Sequence, residues 1–359
     1  MKPMPSIPQC SALPVIPLLA AALLAAATAS TPITAVIPQT QRVQKWHDMC
    51  GDSADPFWAA DGKLYHFTCD GRGFGKEPRN LCLNRLDGEG WENLQGVLVN
   101  PMDEYGKAND TGPDGATWKV CGQECIDGVF YAFVTRNIYG NKSGDPLMRQ
   151  TSFNTSLIKS TDRGRTWTRS AKENHDSPMW PGPRFGAPGF IHYGRDGGQV
   201  NNDLANQFVY AISNNGFWNG GDDYILARVR RGELPRLNAA DWSYWQGGDG
   251  LKDAAWSQDI ARARPILERP SKLGWTPPVF IPALNRYLLT GWYVSPTLKK
   301  WFEPGMVTYE FFESPHPWGP WTHVSSFDDR FMIGGHMYGP SLVAKYQVAT
   351  GNEVEVSLI

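Results

Sequence analysis

Apolar residues in this chain fall in short runs of Val, Ile, Leu, Tyr, Phe and Trp, each bounded by Gly, Pro, Asn or Asp. Such runs predict short strands joined by tight turns. No long stretch repeats at helical spacing, and the best local candidate, 254–267, is short and broken by Pro265. Set against one another, the runs repeat. A first strand rich in small and apolar residues occurs at 56–60, 116–122, 185–193, 277–283 and 338–345. A more apolar partner strand follows at 64–67, 130–133, 208–212, 286–290 and 353–358. Asp61-Gly62, Asp127-Gly128, Asp196-Gly197, Asn285 and Gly351-Asn352 supply the hairpin turns between them.

A third strand then ends in a turn and a Trp. It lies at 81–84 before Trp91, 156–159 before Trp167, 224–229 before Trp242, and 307–312 before Trp318 and Trp321. Five hairpins and four closing units predict an all-β, five-bladed β-propeller. The fifth closing unit is absent. Either residues 30–46 supply strands that close the ring, or the product is short at its C-terminus.

The turn Ser160-Thr161-Asp162-Arg163-Gly164-Arg165-Thr166-Trp167 matches the Asp-box of sialidase-type propellers. Asp162 can accept backbone N–H bonds within the turn, Gly164 allows positive φ, and Trp167 packs under the neighbouring strand. The motif is structural, on the outer rim, and Asp162 is not read as catalytic.

Composition adds a compartment. The 37 Gly and 28 Pro fit many turns, and 15 Trp supply packing or stacking surfaces. A net charge of -2 over 359 residues speaks against electrostatic binding of nucleic acid or membrane. Residues 1–29 read as a signal peptide: Lys2, an apolar stretch at 18–27, and Ala27-Thr28-Ala29 before Ser30. Residues 30–359 then form a single secreted, extracellular propeller domain, expected to be monomeric. Cys50, Cys69, Cys82, Cys121 and Cys125 remain after cleavage. An oxidising compartment would pair four, with Cys69–Cys82 and Cys121–Cys125 as expected bridges. Asn109, Asn141 and Asn154 head glycosylation triplets.

The two strands of each hairpin are antiparallel, so residues before the first and after the second share one edge. Five such edges converge on one channel mouth. They carry Asp52, Asp55, Asp114, Arg184, Trp275 and His336, then Asp70, Arg136, Asn137, Asn214, Asn215 and Trp292. Lys119 lies inside the second blade's first strand. Glycoside hydrolysis needs one carboxylic acid to protonate the leaving oxygen and a carboxylate to activate water or attack. Asp55, Asp70 and Asp114 are the catalytic candidates. Asp52, Lys119, Arg136, Asn137, Arg184, Asn214, Trp275, Trp292 and His336 are the substrate-binding candidates. No organic cofactor is implied. The rival readings are a non-catalytic sugar-binding propeller and an extracellular protein-interaction propeller.

Several stretches resemble a known family. They are Gly51-Asp52-Ser53, Trp58-Ala59-Ala60-Asp61-Gly62-Lys63-Leu64-Tyr65, Asp70-Gly71-Arg72-Gly73-Phe74-Gly75, Phe185-Gly186-Ala187-Pro188-Gly189-Phe190, Asp223-Tyr224-Ile225-Leu226-Ala227-Arg228-Val229 and Pro315-His316-Pro317-Trp318-Gly319-Pro320-Trp321. The chain is similar over nearly its whole mature length to a secreted propeller family that includes bacterial endo-D-arabinanases, and in architecture to arabinanase- and sialidase-like glycosidases. The resemblance implies a furanoside-containing or related polysaccharide substrate and a catalytic funnel with inner-strand acids, matching Asp55 and Asp70. It also implies a channel cation such as calcium, with His336 as the position to inspect. The cysteine cluster departs from the bacterial pattern.

Overall fold

A computed structural model describes residues 30–39, 48–52, 55–145, 147–198, 202–295, 305–329 and 338–358. The signal-peptide reading of 1–29 and the candidate His336 lie outside the described residues. Among the described residues no helix is long and apolar enough to cross a membrane.

The chain is an all-β propeller of antiparallel sheets that follow one another in sequence. In the first sheet, Cys50–Asp52 and Phe57–Trp58 both pair with Leu64–Gly73, and Arg79–Asp87 and Gln95–Asn100 follow outward. The second sheet runs Thr117–Ile126, Val129–Ile138, Thr151–Ser160. The third runs Ala187–Phe190, Phe208–Asn214, Gly221–Arg230, Trp242–Trp245, Trp256–Ser257. The fourth runs Val279–Ile281, Arg286–Val294, Val307–Ser314, Thr322–Asp328. Leu342–Thr350 and Glu353–Leu358 form a two-stranded fifth sheet. Its inner strand reaches both neighbours. Lys345 Nζ donates to the Gly62 carbonyl at 2.9 Å, and Gln347 Nε2 to the Phe280 carbonyl at 3.1 Å.

Four of the five expected hairpins turn where expected; in the third, residues 191–207 intervene between Ala187–Phe190 and Phe208–Asn214 and include the short helices Arg195–Gly197 and Asp203–Gln207. Asp127, Asp196 and Asn285 each sit at positive φ, the conformation that Asn and Asp tolerate best after Gly. Two other features differ from expectation. Pro265–Leu273 is a strand, and it pairs with the inward end of Gly221–Arg230. Residues 30–39 contain no strand and lie along the fourth sheet, where the Thr31 amide donates to the Leu284 carbonyl at 2.9 Å.

Alternation drives the packing: one face of each strand meets the preceding sheet and the other the next. Phe133 of the second sheet touches the rings of Trp180, Phe185, Phe190 and Trp242. Each such buried ring contributes about 1.5–3 kcal/mol. Nearer the axis, inner strands approach too closely for side chains. A Cβ on Gly122 would stand 2.7 Å from Gly189 Cα.

The turn after Thr151–Ser160 is built as its residues dictate. Asp162 Oδ1 accepts from the Thr166 amide at 2.9 Å, and Oδ2 from the Thr166 hydroxyl at 2.7 Å. The Gly164 amide donates to Ser160 Oγ at 2.8 Å, with φ 84° at Gly164. Trp167 packs against Phe67 of the first sheet. All of this lies outside the channel.

None of the five described cysteines is bonded to another. Cys121 and Cys125 lie on one extended strand, whose rise of roughly 3.3 Å per residue keeps them about 13 Å apart along it. Cys69 and Cys82 belong to neighbouring strands but are not register partners: Cys69 faces Leu81, and Cys82 faces Thr68.

Candidate functional site

The first sheet's innermost strand comes in two pieces, and this decides which acids reach the mouth. Cys50–Asp52 pairs with the far end of Leu64–Gly73, with Asp52 opposite Cys69. Asp70, next along, takes φ 52°, so the backbone bends there. Asp52 and Asp70 therefore stand together at the open end of the hairpin, both partly exposed.

Neighbouring sheets hold this pair. Lys119, on the second sheet's innermost strand, forms an ion pair with Asp70 Oδ2. Tyr139, just past the adjoining strand, donates to Asp70 Oδ1 at 2.9 Å. Lys119 Nζ also donates to the Tyr139 hydroxyl at 3.2 Å. Tyr338, ahead of the fifth sheet, hydrogen-bonds Asp52 and packs against Trp292. Burial raises both phenols above their ordinary value, Tyr338 further through the Asp52 carboxylate, so each remains a proton donor.

Asp55 lies elsewhere. It is 0% exposed, and its carbonyl accepts from the Gln123 side chain. Asp55 Oδ1 meets His192 Nε2 at 3.1 Å, and Glu124 Oε2 meets His192 Nδ1 at 2.7 Å. Asp55 leads the first sheet's inner strand, Glu124 lies on the second's, and His192 follows the third's. Burial opposes a charge on His192, but Asp55 and Glu124 push it up to about 10, so the ring is an imidazolium. Burial raises the Glu124 carboxyl above its ordinary value, and His192 pulls the other way. A polysaccharide cannot reach Asp55, which corrects its reading as a catalytic acid. The trio does not fit a channel cation either. Both ring nitrogens carry protons directed at carboxylates, so His192 has no lone pair for a metal.

Asp114 is also removed from the acid pair. Arg136 clasps it with two bonds, Nε to Oδ2 at 2.9 Å and NH2 to Oδ1 at 2.7 Å. That clasp holds the Asp114 carboxyl below its ordinary range. Arg136 is itself buried and stacks on Trp118, so neither residue is free for a ligand. Asn137 and Asn214 are buried loop staples. Asn137 accepts from Ser152 Oγ at 3.0 Å, and Asn214 donates to the Phe217 and Leu273 carbonyls at 2.7 and 2.9 Å. Arg184 pairs with Asp223 at 2.7 Å. Trp275 is 2% exposed and stacks on Trp218, and Trp292 is 1% exposed and donates to the Trp275 carbonyl. Neither indole offers a face to a sugar. Of the sequence candidates, the structure brings together Asp52, Asp70 and Lys119.

Four residues escaped the sequence reading: Glu124, Tyr139, His192 and Tyr338. His192 carried a signal, since it interrupts an otherwise apolar run and a buried charge requires a partner, whereas Glu124 stands beside Gln123 on a strand that also carries Lys119. Tyr139 and Tyr338 flank predicted strands and are set apart only by what they bond.

No family model matches the chain, and no curated protein matches it. Solved structures do. The chain is similar to an α-L-arabinofuranosidase from Podospora anserina in complex with cellotriose, at 12% identity and TM-score 0.40, over 82% of this chain and 72% of that one. It is similar to a xylan β-1,4-xylosidase from Bacillus halodurans, at 14% identity and TM-score 0.43, over 87% of this chain and 49% of that one. It is also similar to a family 43 arabinoxylan arabinofuranohydrolase from Bacillus subtilis in complex with cellotetraose, at 13% identity and TM-score 0.40, over 86% and 58%. The chain thus spans about half the length of the two Bacillus enzymes.

Proposed function

We propose that this chain is a secreted glycoside hydrolase that cleaves a furanoside-containing or related polysaccharide with Asp52 and Asp70. The observation that carries this reading is a pair of partly exposed carboxylates at one channel mouth, in unlike surroundings. Asp70 is bonded by an ammonium and a phenol, whereas Asp52 is bonded by a phenol. Unlike surroundings let one carboxyl give a proton to the leaving oxygen while the other activates water or attacks the anomeric carbon. The furanoside preference rests on the motif resemblance. The two-stranded sheet is read as the fifth blade, because Lys345 and Gln347 tie it to the first and fourth sheets.

The test is reducing-end release from arabinan, galactan and mixed wall polysaccharides by the secreted chain. Asp52→Asn and Asp70→Asn should each lower turnover by about 10²–10⁴-fold. Normal hydrolysis by both variants sinks the site. A wild type that retains polysaccharide on an affinity gel but releases no reducing ends is a sugar-binding propeller instead.

A further inference from the structure

We infer that Lys119 and Tyr139 are positioning residues that keep Asp70 ionised, so that Asp70 meets the substrate as a carboxylate. This rests on the glycosidase reading and deepens it, since it gives Asp70 the task of the carboxylate that activates water or attacks. The sequence offered Lys119 as a ligand for the substrate, but the structure gives it other work. Lys119 is 4% exposed, on an innermost strand, and its ammonium is spent on Asp70 Oδ2 and the Tyr139 hydroxyl. Two of its three N–H donors are committed there.

Each oxygen of Asp70 has its own donor, Lys119 on Oδ2 and Tyr139 on Oδ1. Charge-assisted bonds of this kind favour the carboxylate over the acid. The phenol accepts from Lys119 while donating to Asp70, so its proton is directed at the carboxylate. The backbone fixes the geometry too. Asp70 holds a left-handed φ, and a Cβ on the adjoining Gly71 would run into the Cys50 carbonyl. The backbone that carries Asp70 is therefore packed closely against the neighbouring strand piece.

The titratable groups around Asp70 are Asp52 and Cys69 of the first sheet, Lys119 and Tyr139 of the second, and Tyr338 ahead of the fifth. Among the described residues Lys119 supplies the positive charge of this group, and it interacts with Asp52 as well.

The experiment is an NMR pH titration of the mature chain labelled at the aspartate carboxyl carbon, with the Asp70 resonance assigned by Asp70→Asn. Lys119→Met should raise the Asp70 midpoint by about one pH unit or more. Tyr139→Phe should raise it less, and Lys119→Arg should hold it near wild type. An Asp70 midpoint unmoved in both Lys119→Met and Tyr139→Phe overturns the inference, and Tyr139→Phe alone decides it if Lys119→Met fails to fold. Kinetics give the second readout. Lys119→Met should lower kcat by about tenfold or more, displace the acid limb of the pH profile upward and leave KM nearly unchanged. A change in KM alone would return Lys119 to substrate binding. If wild type hydrolyses no polysaccharide, the glycosidase reading fails, while the titration still decides whether Lys119 and Tyr139 hold Asp70 ionised.

Discussion

His192→Ala tests how the channel is held together. The imidazolium joins three inner strands through Glu124 at 2.7 Å and Asp55 at 3.1 Å, in a site closed to solvent. Its removal leaves two carboxylates buried without a cation. Breaking a buried pair in this way costs about 3–5 kcal/mol. The proton linkage gives a matching figure. A pKa that rises from 6.5 to about 10 on folding corresponds to roughly 5 kcal/mol.

The sign follows from the direction of the shift. A group raised on folding contributes fully below its unfolded value, here 6.5, and loses that contribution as pH climbs toward about 10. The wild type should therefore lose about 2 kcal/mol between about pH 7 and about pH 8.5. Glu124, raised by burial, adds a loss of the same sign at lower pH. Cys69 and Cys82, pushed by burial to about 11, add theirs only as unfolded thiols ionise near 9.0. Urea unfolding across the window, with nitrogen NMR of the ring, is the assay. His192→Ala should begin about 3–5 kcal/mol lower and lack the decline. A wild-type curve that stays flat, or a variant that declines in parallel, refutes the imidazolium clasp.

Two further outcomes are expected. Asp114→Asn should cost about 1.5–3 kcal/mol in urea unfolding by weakening the Arg136 clasp, while kcat stays at the wild-type level. Because the Asp114 carboxyl is held below its ordinary value of 3.8, the wild-type contribution should fade only under acidification below that value. Mass-spectrometric glycan mapping after expression in a glycosylating host should find Asn141, which is exposed, occupied. Asn154 should be bare, since it is part-buried and already accepts from the Gly182 amide at 2.9 Å.

The hairpins were legible because their turns demand particular residues. Asp127, Asp196 and Asn285 mark left-handed positions that few side chains accept, and Ser160, Asp162 and Thr166 bond within their own turn. Pro265–Leu273 was not legible as a ladder partner, because its register depends on a strand far from it in sequence. Trp275 and Trp292 carry the residue type of a stacking platform, but type says nothing of depth, and both lie in the core.

The acids show the same limit most sharply. Counting back from a hairpin turn locates the edge of a sheet only if the strand is unbroken. Here the first sheet's inner strand is split, so its true mouth end is Asp52 and the residue that counting selects, Asp55, lies in the axis. Three residues apart and chemically identical, the two carboxylates have different surroundings: a phenol at the rim for one, a sealed imidazolium for the other. Those surroundings come from chain segments 137 residues away in the case of His192, which a single sequence does not connect. What the sequence does carry is the anomaly itself. His192 stands in an apolar run, and a charge in such a run has either a buried partner or no stable fold. Matching His192 to the acids of the adjacent inner strands, Asp55 and Glu124, therefore separates the clasp from Asp52 and Asp70.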